Sequence, residues 1–171
     1  MKTTLFITLF LYAFNAAPLL AQDFNVPANY KFEEAADYDK YDADIIAAAK
    51  WLVNTPLNEQ DKKRKEVTAF VVKWINGSPT VTVELNEIII DFDTKNPGMV
   101  VIFMASSARY VLENGKVDNM REKHKAALRD LITVYKSGKG ITKDKKMEKL
   151  IKADEDGKLD EWLDENLKIE H

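Results

Sequence analysis

The sequence predicts an all-α fold: one domain built as an array of six or seven antiparallel amphipathic helices. Three observations carry this. Apolar residues recur at steps of three and four along most of the chain. Proline, glycine and asparagine punctuate those stretches at roughly two- to six-residue connections, which make sequential helices antiparallel neighbours. No stretch has the Gly/Ser/Pro richness of an interdomain linker.

After an irregular segment at 22–29, the helical domain is expected over residues 30–171. Tyr38, Tyr41, Ile45, Ala48, Ala49 and Leu52 form the first stripe, with Asp37, Asp39, Asp42 and Asp44 at its N-terminal end, where negative charge suits the helix dipole. That helix stops at Asn54, Thr55 and Pro56. The second opens near Asn58, runs through Val67, Phe70, Val71 and Trp74, and ends at Asn76-Gly77, with Ser78-Pro79 as the start of the third.

Residues 80–92 are ambiguous. Val81, Val83 and Leu85 alternate as in a strand, whereas Val81, Leu85, Ile88 and Phe92 keep helical spacing. A lone strand among helices has no partner to pair with, so a helix is expected. Asn96-Pro97 should cap a fourth helix through Val100, Phe103, Met104, Ser107 and Val111 to Asn114-Gly115. The fifth, over 118–136, carries Met120, His124, Ala127, Leu128, Leu131 and Tyr135 on one face, and two short helices follow over 143–153 and 158–167. The expected core is Tyr41, Ile45, Leu52, Phe70, Val71, Trp74, Leu85, Ile88, Phe103, Met104, Leu128, Leu131 and Trp162.

The N-terminus reads as an export signal. Lys2 is followed by an apolar run over 5–14, interrupted only by Thr8, and then by Ala21-Gln22 at the expected cleavage bond. The run is half the roughly twenty residues that a membrane span needs. Residues 1–21 are therefore expected to be removed, leaving 150 residues for a soluble protein of the periplasm or the extracellular space. The 171-residue chain has a formal charge of −3, and the loss of Lys2 makes it −4. That balance argues against a dedicated nucleic-acid binder.

The chain has no cysteine and two histidines, His124 and His171. Disulfides, thiolate–metal sites, a lipid-anchoring cysteine and Cys–His or Ser–His–Asp machinery are thereby excluded or starved of residues. No cofactor and no metal is expected. Asp154-Glu155-Asp156-Gly157 resembles part of a calcium loop, but Lys152 and Leu163 stand where the first ligand and the bidentate glutamate belong. Residues 137–143 imitate a phosphate loop, yet Gly140 follows Lys139 where Ser or Thr is required. Asn76-Gly77-Ser78 matches a glycosylation sequon, with Pro79 against it.

Ala105-Ser106-Ser107-Ala108 is a run of small residues that either lets a neighbouring helix approach or opens a hollow beside Arg109 and Tyr110 for a small ligand. Ser106, Ser107, Arg109 and Tyr110 are thus the candidate ligand-binding residues. His124 sits on an apolar stripe and reads as a half-buried packing residue.

The balance of residue types favours a non-enzymatic binding or interaction module, whose partner is a protein or an anionic polymer of the cell envelope. The alternative is a small carboxylate-dependent hydrolase of cell-wall or polysaccharide substrates drawing on Glu84, Glu87, Asp91 and Asp93. Residues 116–152 hold 12 bases and 5 acids, and residues 153–171 hold 2 bases and 8 acids. The acidic tail should fold back on the basic helices with Trp162 as its apolar anchor.

Leu57-Asn58-Glu59-Gln60, Lys73-Trp74, Gly77-Ser78-Pro79-Thr80-Val81, Asn96-Pro97 and Ile102-Phe103-Met104 together resemble a group of uncharacterised, exported helical proteins of environmental and gut bacteria. The resemblance covers most of the chain after the signal. It implies export and a helical fold, and carries no activity.

Overall fold

The computed structural model describes residues 23–167; the expected signal peptide and residues 168–171 lie outside the described residues. Eight helices and no strand occur among the described residues: α1 (Ala35–Asp39), α2 (Asp42–Asn54), α3 (Asp61–Gly77), α4 (Glu87–Lys95), α5 (Met99–Glu113), α6 (Met120–Lys136), α7 (Lys145–Glu155) and α8 (Leu159–Leu167). The all-α array is as the sequence predicts, with one element more. The extra one is α1, where Asp37 turns back to accept hydrogen bonds from the backbone amides of Glu33 and Glu34, both at 3.1 Å. Lys40 donates to the same carboxylate at 2.6 Å. The lysine and the two amides hold the Asp37 carboxyl down to about 2.

Helix α5 has almost no solvent face. Met99, Ile102, Phe103, Ala105, Ser106, Ser107, Ala108 and Val111 are all buried, and α2, α3, α4 and α6 pack around it. The helices that pack most closely on it bring small buried residues of their own to the same core, Ala48 and Ala49 on α2 and Ala127 on α6. Small side chains on several faces reduce the interaxial distance that packing imposes. Asp93 Oδ1 starts the helix, accepting from Gly98 N at 2.8 Å and Val100 N at 3.1 Å. Gly98 has φ +106°, a conformation that disfavours any side chain.

Asn96 does not cap α5, contrary to its expected role. It ends α4 instead, and its buried side chain reaches the α6–α7 connector. There its Nδ2 donates to Thr142 O at 3.0 Å and its Oδ1 accepts from Thr142 N at 2.7 Å.

The helix expected over 80–92 forms only in its second half. Ser78 Oγ accepts from the amides of Thr80 and Val81, both at 3.3 Å, and residues 81–86 then run without helix, turn or bend. The helix waits for Asn86, whose Oδ1 accepts from Ile89 N at 3.2 Å. Four β-branched residues at 80–83 (counting both threonines) lose side-chain freedom in a helix, and Asn86 supplies a strong N-cap beyond them. Val81 is buried while Thr82 is exposed, so the alternation seen in the sequence is real. Leu85 is consequently exposed and does not belong to the core. Tyr41, Ile88 and Met104 are only partly buried against that core.

The segment before α1 is part of the fold rather than an appendage. Phe24 is buried, and Phe24, Tyr30, Phe32 and Tyr41 all place their rings within 6.3 Å of Phe70. Lys73 lies over the rings of Tyr30 and Phe32. Beside them Trp74 is fully buried, and its Nε1 donates to Tyr38 O at 3.1 Å.

At the other end, α8 packs on α6 and α7. Trp162 is buried and stacks on Phe92, with ring centroids 6.5 Å apart. Asp160 pairs with Arg121 at 3.2 Å and Lys125 at 2.9 Å, and Asp164 also pairs with Arg121. Arg129–Asp154 at 3.2 Å and Lys136–Glu155 at 2.6 Å join α6 to α7. The described part of the acidic tail thus lies along the basic helix, as its charge predicts.

Two outcomes follow from this packing. Trp74→Ala should cost about 3–5 kcal/mol in chemical denaturation, because it removes a buried ring and strands the Tyr38 carbonyl. Ending the chain after Gly157 removes Leu159, Trp162, Leu163 and the carboxylates facing Arg121 and Lys125. The truncated protein should melt earlier and bind a cation exchanger more tightly, an effect that salt suppresses.

Candidate docking surface

The small residues of α5 settle first. Ser106 and Ser107 are fully buried inside the helix stack, and neither Oγ has a hydrogen-bond partner. Arg109 Nη2 lies 2.9 Å from Asp130 Oδ2 on α6, and its Nε is 3.6 Å from Glu113, which pairs in turn with Lys50 of α2 at 2.7 Å. The Arg109–Asp130 pair is close without hydrogen-bond alignment, which leaves Arg109 Nε and Asp130 Oδ2 unsatisfied. Tyr110 is partly buried against the core. The four candidate residues therefore share one helix. Two face the packed interior, and Arg109 ties α5 to α6.

The carboxylates singled out from the sequence separate in the structure. Asp93 caps α5, Asp91 pairs with Lys146, and Glu84 pairs with Lys123 at 3.2 Å, while Glu87 stands exposed in the first turn of α4. Asp44 is different: partial burial at the start of α2 pushes its carboxyl up. Among the described residues no three His, Asp or Glu side chains gather as a metal site. Nor is any helix there long and apolar enough to cross a membrane.

Lys123 is the residue that sequence reasoning missed. Its side chain is wholly buried, and Nζ donates to Thr82 O at 2.8 Å, Asp118 Oδ2 at 2.9 Å and Glu84 Oε2 at 3.2 Å. An ammonium has three donors, and all three are used. The signal was available: Lys123, Ala127 and Leu131 are spaced by four, so Lys123 extends the apolar stripe of α6. A lysine there needs carboxylates brought from elsewhere.

Lys123 latches the 81–86 segment onto the N-terminal end of α6, and three exposed apolar side chains, Leu85, Val117 and Met120, lie within three residues of Glu84, Asp118 or Lys123 in the sequence. Leu85 is 40% exposed, Met120 42%, Ile90 52% and Val117 63%. Thr82 O is the only main-chain group of residues 82–85 with a hydrogen-bond partner among the described residues. Elsewhere the surface offers an open groove of about 500 Å³ between Asn25-Val26 and the start of α3, lined by charges of both signs.

His124, the neighbour of Lys123, is buried on the opposite edge of the stripe. Its Nδ1 is 2.7 Å from Met120 O, so that nitrogen carries the proton, and its ring lies 5.4 Å from Phe103. Burial lowers its pKa, and the Lys123 charge acts in the same direction. The sign is the reverse of a paired histidine. Below about 6.5 the unfolded chain takes the proton first, so stability holds above that pH and falls as pH drops toward the lowered native value. Melting curves between pH 7 and 5 should show this slope, and His124→Gln should flatten it.

Comparison with known proteins adds no assignment to this geometry: no family model, no curated protein and no solved structure matches the chain.

Proposed function

We propose that this protein is an exported, non-enzymatic docking module that presents the surface around residues 82–85 and 117–120 to a protein partner in the periplasm or outside the cell. The observation that carries this reading is the latched segment itself. An all-helical protein commits a fully buried lysine to holding a stretch of unpaired main chain at its surface, with Leu85, Val117 and Met120 left in solvent beside it. Clustered exposed apolar side chains mark interaction sites more often than singly scattered ones do. Export is supported by Lys2, the short apolar run over 5–14 and Ala21 at the junction.

A second reading keeps the anionic polymer as partner. Lys139, Lys143, Lys145 and Lys149 are exposed and make no ion pair among the described residues, whereas Arg121, Lys125, Arg129 and Lys136 of α6 face carboxylates. The apolar surface favours the protein partner.

One comparison separates the two. Leu85→Ser, Val117→Ser and Met120→Ser combined should change stability by no more than about 1 kcal/mol, because each side chain is already exposed. Retention of exported proteins from the native host on the immobilised variant should fall at least tenfold relative to the parent. Loss of retention only when the four lysines are changed to serine, with salt sensitivity, would instead assign the polymer.

A further inference from the structure

The α6–α7 connector and α7 concentrate positive charge. Residues 137–152 hold Lys139, Lys143, Lys145, Lys146, Lys149 and Lys152 against two acids, Asp144 and Glu148. Asp144 is buried as the cap of α7. Lys145, Lys149 and Lys152 recur at steps of four and three, one stripe on the side away from buried Met147 and Leu150. Lys146 pairs with Asp91 and Lys152 with Asp156, whereas Lys139, Lys143, Lys145 and Lys149 stay exposed without an ion pair among the described residues. The acids of α8 do not cancel them. Asp160 and Asp164 turn to Arg121 and Lys125, and Glu161 and Glu165 line the hollow beside Lys149, Lys152 and Lys158. Unbalanced charge therefore collects toward the N-terminal end of α7, which is also the positive end of its dipole.

The connector presents its lysines from a fixed backbone. Asn96 holds both main-chain groups of Thr142, and Asp144 N donates to Tyr135 Oη at 2.7 Å. Gly140, with φ +70°, lies so near Asn58 that a Cβ there would come within 2.8 Å of the Asn58 amide nitrogen. Cations placed in this way give up side-chain freedom on binding, and no loop has to be ordered.

One apolar side chain decides between anionic surfaces. Ile90 of α4 is 52% exposed, and its neighbour Asp91 carries the ion pair to Lys146. Thr94, one turn on from Ile90 along the same side of α4, lines a groove of about 210 Å³ with Lys95, Lys145 and Lys146. Ile90 thus stands at the border of the lysine face. A soluble polyanion gains nothing from an exposed isoleucine there. A lipid surface does: phosphates meet the ammonium groups while the aliphatic side chain enters the boundary between headgroups and acyl chains.

We infer that Lys139, Lys143, Lys145 and Lys149, with Ile90 at their border, form a docking surface for an anionic phospholipid membrane. The adsorption is peripheral, since no helix among the described residues is long and apolar enough to cross a bilayer. It does not rest on the partner surface at residues 82–85 and 117–120, and the serine variants of that surface should bind vesicles as the parent does.

The test uses the chain from Gln22, because an uncleaved apolar leader would itself adsorb to lipid. Cosedimentation with vesicles of phosphatidylglycerol and phosphatidylcholine in equal parts should show binding that vesicles of phosphatidylcholine alone do not support. Each lysine near an anionic surface changes affinity about fivefold. Changing the four lysines to serine should therefore weaken binding at least tenfold, with the melting temperature unchanged because none of them makes an ion pair. Added salt should weaken the parent in the same direction. The chain has no cysteine, so Ile90→Cys carries a single environment-sensitive dye. That dye should shift to the blue on phosphatidylglycerol vesicles and stay unshifted with dextran sulfate, a soluble polyanion. Equal binding to both kinds of vesicle, or undiminished binding of the lysine variant, would overturn the inference. A dye that stays unshifted on vesicles to which the protein binds would also overturn it, and would assign the lysines to an acidic polymer.

Discussion

The arrangement depends on one constraint: α5 must be covered on every side. A helix with buried residues at 99, 102, 103, 105–108 and 111 has no stripe to turn toward water, so several neighbours must close around it. That requirement places α2 and α6 against its flanks, where alanines and serines let them come close, and calls α3 and α4 in to finish the enclosure. The aromatic strap before α1 and the tail helix α8 are second-layer consequences. Each covers an element already committed to α5, with Phe70 and Phe92 as the respective seats.

The polar interior follows the same logic at a smaller scale. Three non-helical stretches are each fixed by one side chain: buried Lys123 for residues 82–84, buried Asn96 for the α6–α7 connector, and half-buried Asp93 for the start of α5. Each gives a loop the main-chain partners that it would otherwise seek in water. Ser106 and Ser107 show the opposite case. Their hydroxyls are buried without partners, so their small volume matters to the packing and their polarity does not help it.

Helix positions were legible in the sequence because the stripes are long, whereas the caps that set two of the starts, Asn119 and Asp144, were not singled out there. The seats of Trp74 and Trp162 were legible for the same reason. Residues 80–92 were not, because two periods coexist there: the β-branched run and the Asn86 cap delay the helix, and the Lys123 ammonium that holds the non-helical half lies some forty residues downstream. Asn96 misled in a related way. An Asn-Pro pair reads locally as a cap, whereas its side chain answers to Thr142, which no local pattern reveals. Of the candidate site, the serine run was visible as small volume, but periodicity alone does not say whether such a run is filled by a neighbour or left hollow.

The Asn96–Thr142 clasp also limits how this sequence can drift. Both ends of the amide are used, one as donor and one as acceptor, so no other short side chain satisfies the pair. Aspartate would set a second acceptor against the Thr142 carbonyl, and glutamine adds a methylene in a site that is already closed. Ile102, equally buried, can exchange with Leu or Met for less than about 1.5 kcal/mol. Across diverging descendants of this chain, then, the greasy centre is free to wander among aliphatics while a lone asparagine at the end of α4 stays put.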